Sequence, residues 1–448
     1  MTITTDISIR PDTFQARRQQ LADKIGNGTA IVRSGSLAVM NNDVEYPFRQ
    51  NSDFYYLTGF NEPDAVAVIA PHHPEHQFVL FVRPRIREQE IWTGYRTGIE
   101  GAKERYGADE AFPISELAEK LPEYLKDADR IYYRPGHDDT FNQQVFKFWQ
   151  AQLRQYPRRG RAPVALTDLS PILHSLRNIK TADELDMMRK AAAIAAEAHN
   201  LARAAAQPGK YEYEIEALIE GYFRQQGCLG PAYPSIVASG ANACVLHYIE
   251  NTQQMQDNDL LLIDAGCCYG YYNSDITRTF PINGKFTSAQ KDIYELVLKA
   301  QEAAIAQVKP GNTYNQPHDT AVRTITEGLV DLGLLVPDEG EDIDQLIEDN
   351  KYKAFYMHRT GHWLGIDVHD VGAYKTADDE WLTFQPGMVL TVEPGIYISP
   401  DRDVEELEHV EDEWRGIGIR IEDDVLVTAD GCEILTAATP KAVADLES

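Results

Sequence analysis

The sequence predicts an α+β chain of two domains: a mixed α/β domain over residues 1–176 and a larger domain over 177–448 built from two similar halves. Three observations carry this expectation. Strand-like runs interleave with helical patterns before residue 177. A strong helix start followed by a long Ala-rich run marks a boundary near that residue. After it, one unit (helix, Pro-Gly break, helix, acidic strand) occurs twice. A length of 448 residues suits two domains at roughly 100–200 residues each.

In the first domain, the runs at 66–70 (VAVIA), 77–82 (QFVLFV) and 130–133 (RIYY) read as strands, and 11–25 and 141–154 read as helices. Thr181 with Glu184 three residues later forms a capping box, opening a helix to about residue 206. That helix runs into Gln207-Pro208-Gly209, and a second follows through YEIEALIEGYFRQQG. The pattern returns with a helix from Thr287, the break Lys309-Pro310-Gly311, and a helix through HDTAVRTITEGLVDLG. Strands follow each unit. DLLLIDAG (259–266) aligns with MVLTVEPG (388–395), which sets Asp264 opposite Glu393. Two halves that each end in an acidic strand imply a pseudo-twofold domain whose acids meet near the axis.

Composition narrows the function. Lys and Arg total 42 against 70 Asp and Glu, a net charge of −28, which argues against binding a nucleic-acid backbone and favours cations such as metals and peptide amino termini. No apolar run approaches the ~18 residues of a membrane span. The start, MTITTDISIRPDTFQARRQQ, lacks the apolar stretch of a secretory signal, so a cytoplasmic protein is expected. The five cysteines, Cys228, Cys244, Cys267, Cys268 and Cys432, show no C-x-x-C spacing and read as buried thiols.

The chemistry gathers late in the chain. Asp264 ends an apolar strand, and Asp275 follows a turn-rich segment, so two strands joined by a turn could aim both carboxylates at one point. Glu393 precedes Pro394-Gly395, which should end its strand. Glu422 sits in GIGIRIEDDVLV, where a regular strand would place Arg420 and Glu422 on one face and Ile417, Ile419 and Ile421 on the other. Taken singly, each acid reads more simply as a cap, a salt-bridge partner or an exposed face. MHRTGHWLGIDVHDVG adds His358, His362 and His369, three of the chain's 12 histidines, and His247 lies in VLHYIENT. The spacing is not H-E-x-x-H, so a single-zinc protease site is not supported. Four carboxylates and an imidazole at one buried point carry too much negative charge without cations. Two divalent ions would balance them and activate a water. An oxygen-rich set with one nitrogen suits Mn(II), with Zn, Co and Fe(II) also open.

At these residues the sequence resembles aminopeptidase P, the Xaa-Pro aminopeptidases, a family grouped with methionine aminopeptidase and prolidase that shares the pita-bread catalytic fold. The resemblance rests on IDAGCCYGYYNSDITRTF, MHRTGHWLGIDVHDVG, TVEPGIY and GIGIRIEDD, in the family's order. It reaches the N-terminal domain through EYPFRQNSDFYYLTGFNEPDAV and EIWTGYRTG. It implies that Asp264 binds one metal with both oxygens, that Asp275 and Glu422 bridge two, and that His362 and Glu393 complete the second. It further implies that His247, His358, His369, Arg420 and Tyr397 lie close to substrate; on the chemistry of such a site, Glu393 is expected to shuttle a proton, and His369 with His358 to stabilise an oxyanion. Asp43 and Trp92 match positions that reach a neighbouring subunit's site in oligomeric relatives, so a homo-oligomer, dimer or tetramer, is implied. The alternative reading of Trp92 is packing, and of Asp43 a turn cap. The substrates implied are peptides with proline in second place, with no nucleic-acid or membrane partner. The alternatives are a prolidase restricted to Xaa-Pro dipeptides, a metal-free hydrolase of the creatinase type, or a peptide-binding homologue without catalysis. Two departures stand out. Arg359 replaces a common glycine and is expected to point to solvent. Asn273-Ser274 replaces small residues before Asp275 and should leave the turn intact.

Overall fold

The computed structural model describes residues 9–136 and 138–447. The first eight residues of the stretch read for a secretory signal lie outside the described residues. The chain divides into two compact units, Met1–Arg177 and Asn178–Ser448. Among the described residues, no helix is long and apolar enough to cross a membrane.

The first unit is built on a six-stranded mixed sheet. Its order is Glu110–Pro113, Phe78–Val82, Val66–Ile69, Thr29–Arg33, Arg130–Tyr132, Ala165–Thr167. Val66–Ile69 and Phe78–Val82 are buried at every position. Both faces are covered, which is why these runs read as unbroken apolar stretches rather than as alternation. The helix Asp139–Arg159 starts before the expected residue 141 because Asp138 caps it, accepting from Phe141 N at 2.8 Å. Trp92 lies on the helix Arg87–Thr93 and is 87% exposed. Asp43 lies exposed in the turn between the short strands Val39–Asn41 and Val44–Glu45.

The second unit repeats itself as its sequence does. Ala182–Ala205 opens on the Thr181–Glu184 capping box and is followed by Glu212–Gln225; Ser288–Ile305 opens on Thr287 and is followed by Gln316–Asp331. Each helix pair leads to an antiparallel strand pair. In the first, Leu260–Asp264 lies between Ile236–Ser239 and Thr277–Pro281. In the second, Val389–Val392 pairs with Asp423–Val427 on one side. On the other side runs the segment around His362: Thr391 N donates to His362 O at 2.9 Å, and Glu393 N to Thr360 O at 2.8 Å. The acids occupy matching ends. Asp264 is the last residue of its strand and registers with Thr277, two residues past Asp275. Glu393 follows Val392, whose partner Asp423 follows Glu422.

The expected single strand through GIGIRIEDDVLV is two. Gly418–Arg420 pairs with Gly395–Tyr397, and Asp423–Val427 pairs with Val389–Val392. Pro394 offers no N–H to a ladder, so the pairing breaks opposite it and resumes beyond. Nor is either face solvent: Arg420 and Glu422 are as buried as the isoleucines. The cysteines are all free; Cys228, Cys267 and Cys268 are buried, whereas Cys244 and Cys432 are half-buried.

Glycines permit the close approaches at the site. A Cβ on Gly266 would lie 1.7 Å from Ser274 O, and one on Gly361 would lie 2.0 Å from Thr391 O. Both obstacles are backbone and cannot rotate away. Gly266→Ala is therefore expected to destabilise the protein by about 1–3 kcal/mol, read from the midpoint of denaturant unfolding; an unchanged midpoint would show that the turn before Asp275 can move.

Candidate metal centre

The two strand pairs deliver their acids to one place. Ligand atoms of Asp275, His362 and Glu422 all lie within 4.8 Å of one another. His362 Nε2 is 3.5 Å from Asp275 Oδ2 and 3.5 Å from Glu393 Oε1. Its Nδ1 is 3.0 Å from Trp363 O. Donation to that carbonyl fixes the ring with Nε2 toward the acids. Asp264 stands beside the group: its Oδ2 accepts from Arg420 Nη2 at 2.7 Å, and its Oδ1 from the Tyr233 hydroxyl at 2.6 Å. The same hydroxyl contacts Asp275 Oδ1. Asp264, His362 and Glu393 line a cavity of about 760 Å³ together with His247, His358, His369 and Arg420.

The electrostatics are those of concentrated negative charge. Burial, reinforced by Asp275 and the other nearby carboxylates, pushes Glu422 well above the usual carboxylate range. Glu393 is pushed up to about 7 by burial, with the His362 charge opposing and Asp275 adding to the rise. Asp275 is raised by burial too. His362 goes the other way: burial disfavours its charge, but the Asp275 hydrogen bond and the Glu393 charge lift it to about 9.

The histidines separate by their partners. His369 packs edge-on against His362, ring centroids 4.3 Å apart. Its ring makes no hydrogen bond among the described residues and can donate into the cavity. His358 is engaged at both ring nitrogens. Its Nδ1 is 2.8 Å from Arg359 O and its Nε2 is 2.8 Å from the Tyr397 hydroxyl. Burial and the Arg420 charge hold His358 down at about 4, so the ring is neutral. Tyr397 in turn accepts from Arg420 Nη1 at 2.9 Å. Arg359 is exposed, as expected, yet it also lines the cavity and lies over Trp381. Asn273 and Ser274 do preserve the turn, through Asn273 Nδ2 to Ile366 O at 2.8 Å and Cys267 N to Ser274 Oγ at 3.1 Å. Asp43 and Trp92 belong to the first unit, and this acidic cluster lies wholly in the second.

Comparison with known proteins agrees with this geometry. Residues 186–429 match metallopeptidase family M24, and residues 14–132 match the aminopeptidase P N-terminal domain. The chain belongs to metallopeptidase family M24. It is 43% identical over 442 residues to Xaa-Pro aminopeptidase of Haemophilus influenzae, covering 98% of this chain and 96% of that one. The structure of Pseudomonas aeruginosa aminopeptidase PepP superposes with a TM-score of 0.93 at 48% identity, covering 98% of each chain. Zn-substituted Escherichia coli aminopeptidase P in complex with product gives 0.91 at 42% identity, again over 98% of each chain. The M24 chain thus has the pita-bread fold with an aminopeptidase P N-terminal domain.

Several residues of this M24 metallopeptidase that shape the site went unread in the sequence. Tyr233 joins Asp264 to Asp275. Thr277 Oγ1 donates to Glu422 Oε2 at 2.6 Å, and Thr391 Oγ1 to Glu393 Oε1 at 3.2 Å. Asp424 is buried and accepts from Asp275 N at 3.2 Å. Asp424 did stand inside the motif GIGIRIEDD, but Tyr233, between Ala232 and Pro234, carried no signal of its own.

The donor set fits divalent cations. Five groups converge with only Arg420 and His362 as internal counter-charges among the described residues, and burial raises Asp275, Glu393 and Glu422. A cation needs carboxylates and a neutral imidazole. Glu393 is protonated below about 7 and His362 below about 9, so both must lose protons for the metal to enter at neutral pH. Metal uptake by this metallopeptidase is accordingly expected to release protons and to tighten as pH rises. Calorimetric titration in buffers of different ionisation heat measures this directly, and a proton release of zero around neutral pH would contradict the arrangement.

Proposed function

We propose that this chain removes the N-terminal residue from peptides with proline in second place, using two divalent ions held by Asp264, Asp275, His362, Glu393 and Glu422. The observation that carries the reading is that Asp275 and Glu422 gather with His362 behind a cavity lined by Asp264, His362 and Glu393, in a chain whose full-length relatives are Xaa-Pro aminopeptidases. With one nitrogen among oxygen donors, the set favours Mn(II).

The bound ions would polarise the scissile carbonyl and supply a water that is nucleophilic at neutral pH. The remaining work falls to the side chains. Asp275 and Glu422 occupy the centre of the cluster, and Arg420 holds Asp264 in place. Glu393 lies on the cavity wall 3.5 Å from His362, placed to accept and return a proton beside the scissile bond. The unengaged ring of His369 donates to the carbonyl oxygen as charge develops there. His358 acts one step back, positioning Tyr397, which meets Arg420. His247 lines the same cavity and contributes to holding the peptide. The free amine of the substrate is drawn to the acidic cluster. A proline nitrogen presents no N–H to recognise, so selectivity rests on shape, and Tyr314, Tyr374 and Trp381 give the cavity its apolar wall.

The five free thiols suit a reducing compartment, and on that ground we place the enzyme in the cytoplasm. Ile91, Trp92 and Tyr95, 73%, 87% and 90% exposed, form an apolar surface suited to a second copy of the chain, with Asp43 contributing beside a neighbouring site.

Hydrolysis of Xaa-Pro-Yaa peptides with Mn(II), and its loss with EDTA, tests the reading. Cleavage of Xaa-Pro dipeptides alone would make the protein a prolidase, and full activity in metal-free protein would remove the metals from the mechanism. Glu393→Gln and His362→Ala are each expected to lower kcat by on the order of 10³-fold or more with the circular dichroism of the folded protein retained. Unaltered kcat/KM in either variant would remove that residue from the site.

A further inference from the structure

The cavity wall carries a cation that hydrolysis leaves unused. Arg359 lines the same cavity as His247, His362 and Glu393. Its guanidinium carbon lies 5.1 Å from the centroid of the Trp381 ring, and its Nη2 donates to Asn315 Oδ1. Asn315 is itself braced, its Nδ2 donating to Asp319 Oδ1 at 2.6 Å. One face and one donor of the guanidinium are thus fixed, which leaves further N–H donors for another partner. Lys375 also lies over Trp381, at 4.9 Å, but its charge is met by Asp379 at 2.8 Å. Arg359 has no ion pair among the described residues. In a chain of net charge −28, an uncompensated guanidinium on the wall of an acidic cavity marks a place for an anion.

The peptide's own geometry says which anion. An enzyme that removes one residue leaves only that residue on the amine side of the scissile bond, so the rest of the cavity receives the other side. Arg359 is three residues from His362, so their Cα atoms are at most about 11 Å apart. An extended peptide advances about 3.3–3.6 Å per residue, which brings groups two or three residues past the bond within reach of Arg359. A guanidinium stacked on a ring and braced at one donor is preorganised for a carboxylate.

We propose that Arg359 is a specificity-determining residue that binds a carboxylate on the leaving side of the peptide: the C-terminal carboxylate of a short substrate, or an acidic side chain two or three residues beyond the bond. This rests on the Xaa-Pro reading above.

Two matched peptide pairs test it. Ala-Pro-Ala as free acid and as amide isolates the C-terminal carboxylate. Amidated Ala-Pro-Ala-Asp-Ala against its Asn counterpart isolates the side chain. In the wild type, the carboxylate member of at least one pair is expected to show about tenfold higher kcat/KM, expressed in KM. Arg359→Met, which keeps the aliphatic stem, should bring that ratio near one, and Arg359→Lys should retain part of it. Whichever pair responds names the source of the carboxylate. The wild-type preference should also decline with added salt, a measurement that needs no variant. A wild-type ratio near one in both pairs, a ratio unchanged in Arg359→Met, or a preference indifferent to salt overturns the assignment. Cleavage of the neutral peptides without preference refutes this subsite alone; failure to cleave any Xaa-Pro peptide refutes it together with the reading beneath it.

Discussion

Gathering four carboxylates at one point, two of them buried, is the constraint that the second unit is built around. Asp264, Asp275, Glu393 and Glu422 arrive at matching ends of two antiparallel strand pairs, and among the described residues only Arg420 and His362 oppose them with charge. In a low-dielectric setting such a cluster is strongly disfavoured unless cations enter or protons stay. The neighbouring hydroxyls and amides follow from this: Tyr233, Thr277 and Thr391 each direct an O–H at one of the acids. These hydrogen bonds orient the oxygens while leaving their net charge for a metal to meet.

Adjacent residues show how the fold separates an anchor from a working group. Asp423 and Glu422 are neighbours, both acidic and both buried. Asp423 receives Arg278 at 2.6 Å, Lys441 at 2.6 Å, Thr436 at 2.7 Å and Gln301 at 2.8 Å. Burial alone would raise it, yet Arg278 and Lys441 hold it at about 2. Glu422 has the Thr277 hydroxyl and, among the described residues, no ion pair, and its carboxyl is raised. Arg278 also donates to Thr439 O and Pro440 O, so the satisfied acid ties the second strand pair to the first and to the C-terminal segment. That rigid support lets the unsatisfied acid next door keep its position.

What could be read from the sequence divides along the same line. Thr181 with Glu184, and Thr287 with its helix, were legible because capping is local. The equivalence of Asp264 and Glu393 was legible because the repeat aligns one strand end with the other. His362 was selected among its neighbours by family resemblance, since spacing does not tell which ring meets an acid. The break in GIGIRIEDDVLV was not read although its cause, Pro394, was in plain view: the consequence falls on a partner strand whose register is a tertiary fact. The partners of His358 were not legible for a similar reason. Only the fold shows that Arg359 O and Tyr397 take both of its nitrogens. Thr277 stood inside the motif IDAGCCYGYYNSDITRTF without a signal of its own, and Tyr233 had no periodicity or motif to mark it.

The cavity is electrically polar, and this bears on how a peptide enters it. The acidic cluster draws an ammonium, and Arg359 over Trp381 draws a carboxylate. A short peptide is a zwitterion with the same polarity, positive at the residue to be removed and negative beyond the bond. The two fields therefore add for one orientation and oppose for the other. Reversal would set a carboxylate against Glu393 and Asp264 and an ammonium against a guanidinium, so like-charge contact rejects it. On this account proline is recognised by the shape of the pocket, while direction along the peptide is set by charge. The bulk of Arg359 then has a reason beyond solvation: a residue at that position without charge would leave orientation to the amine alone.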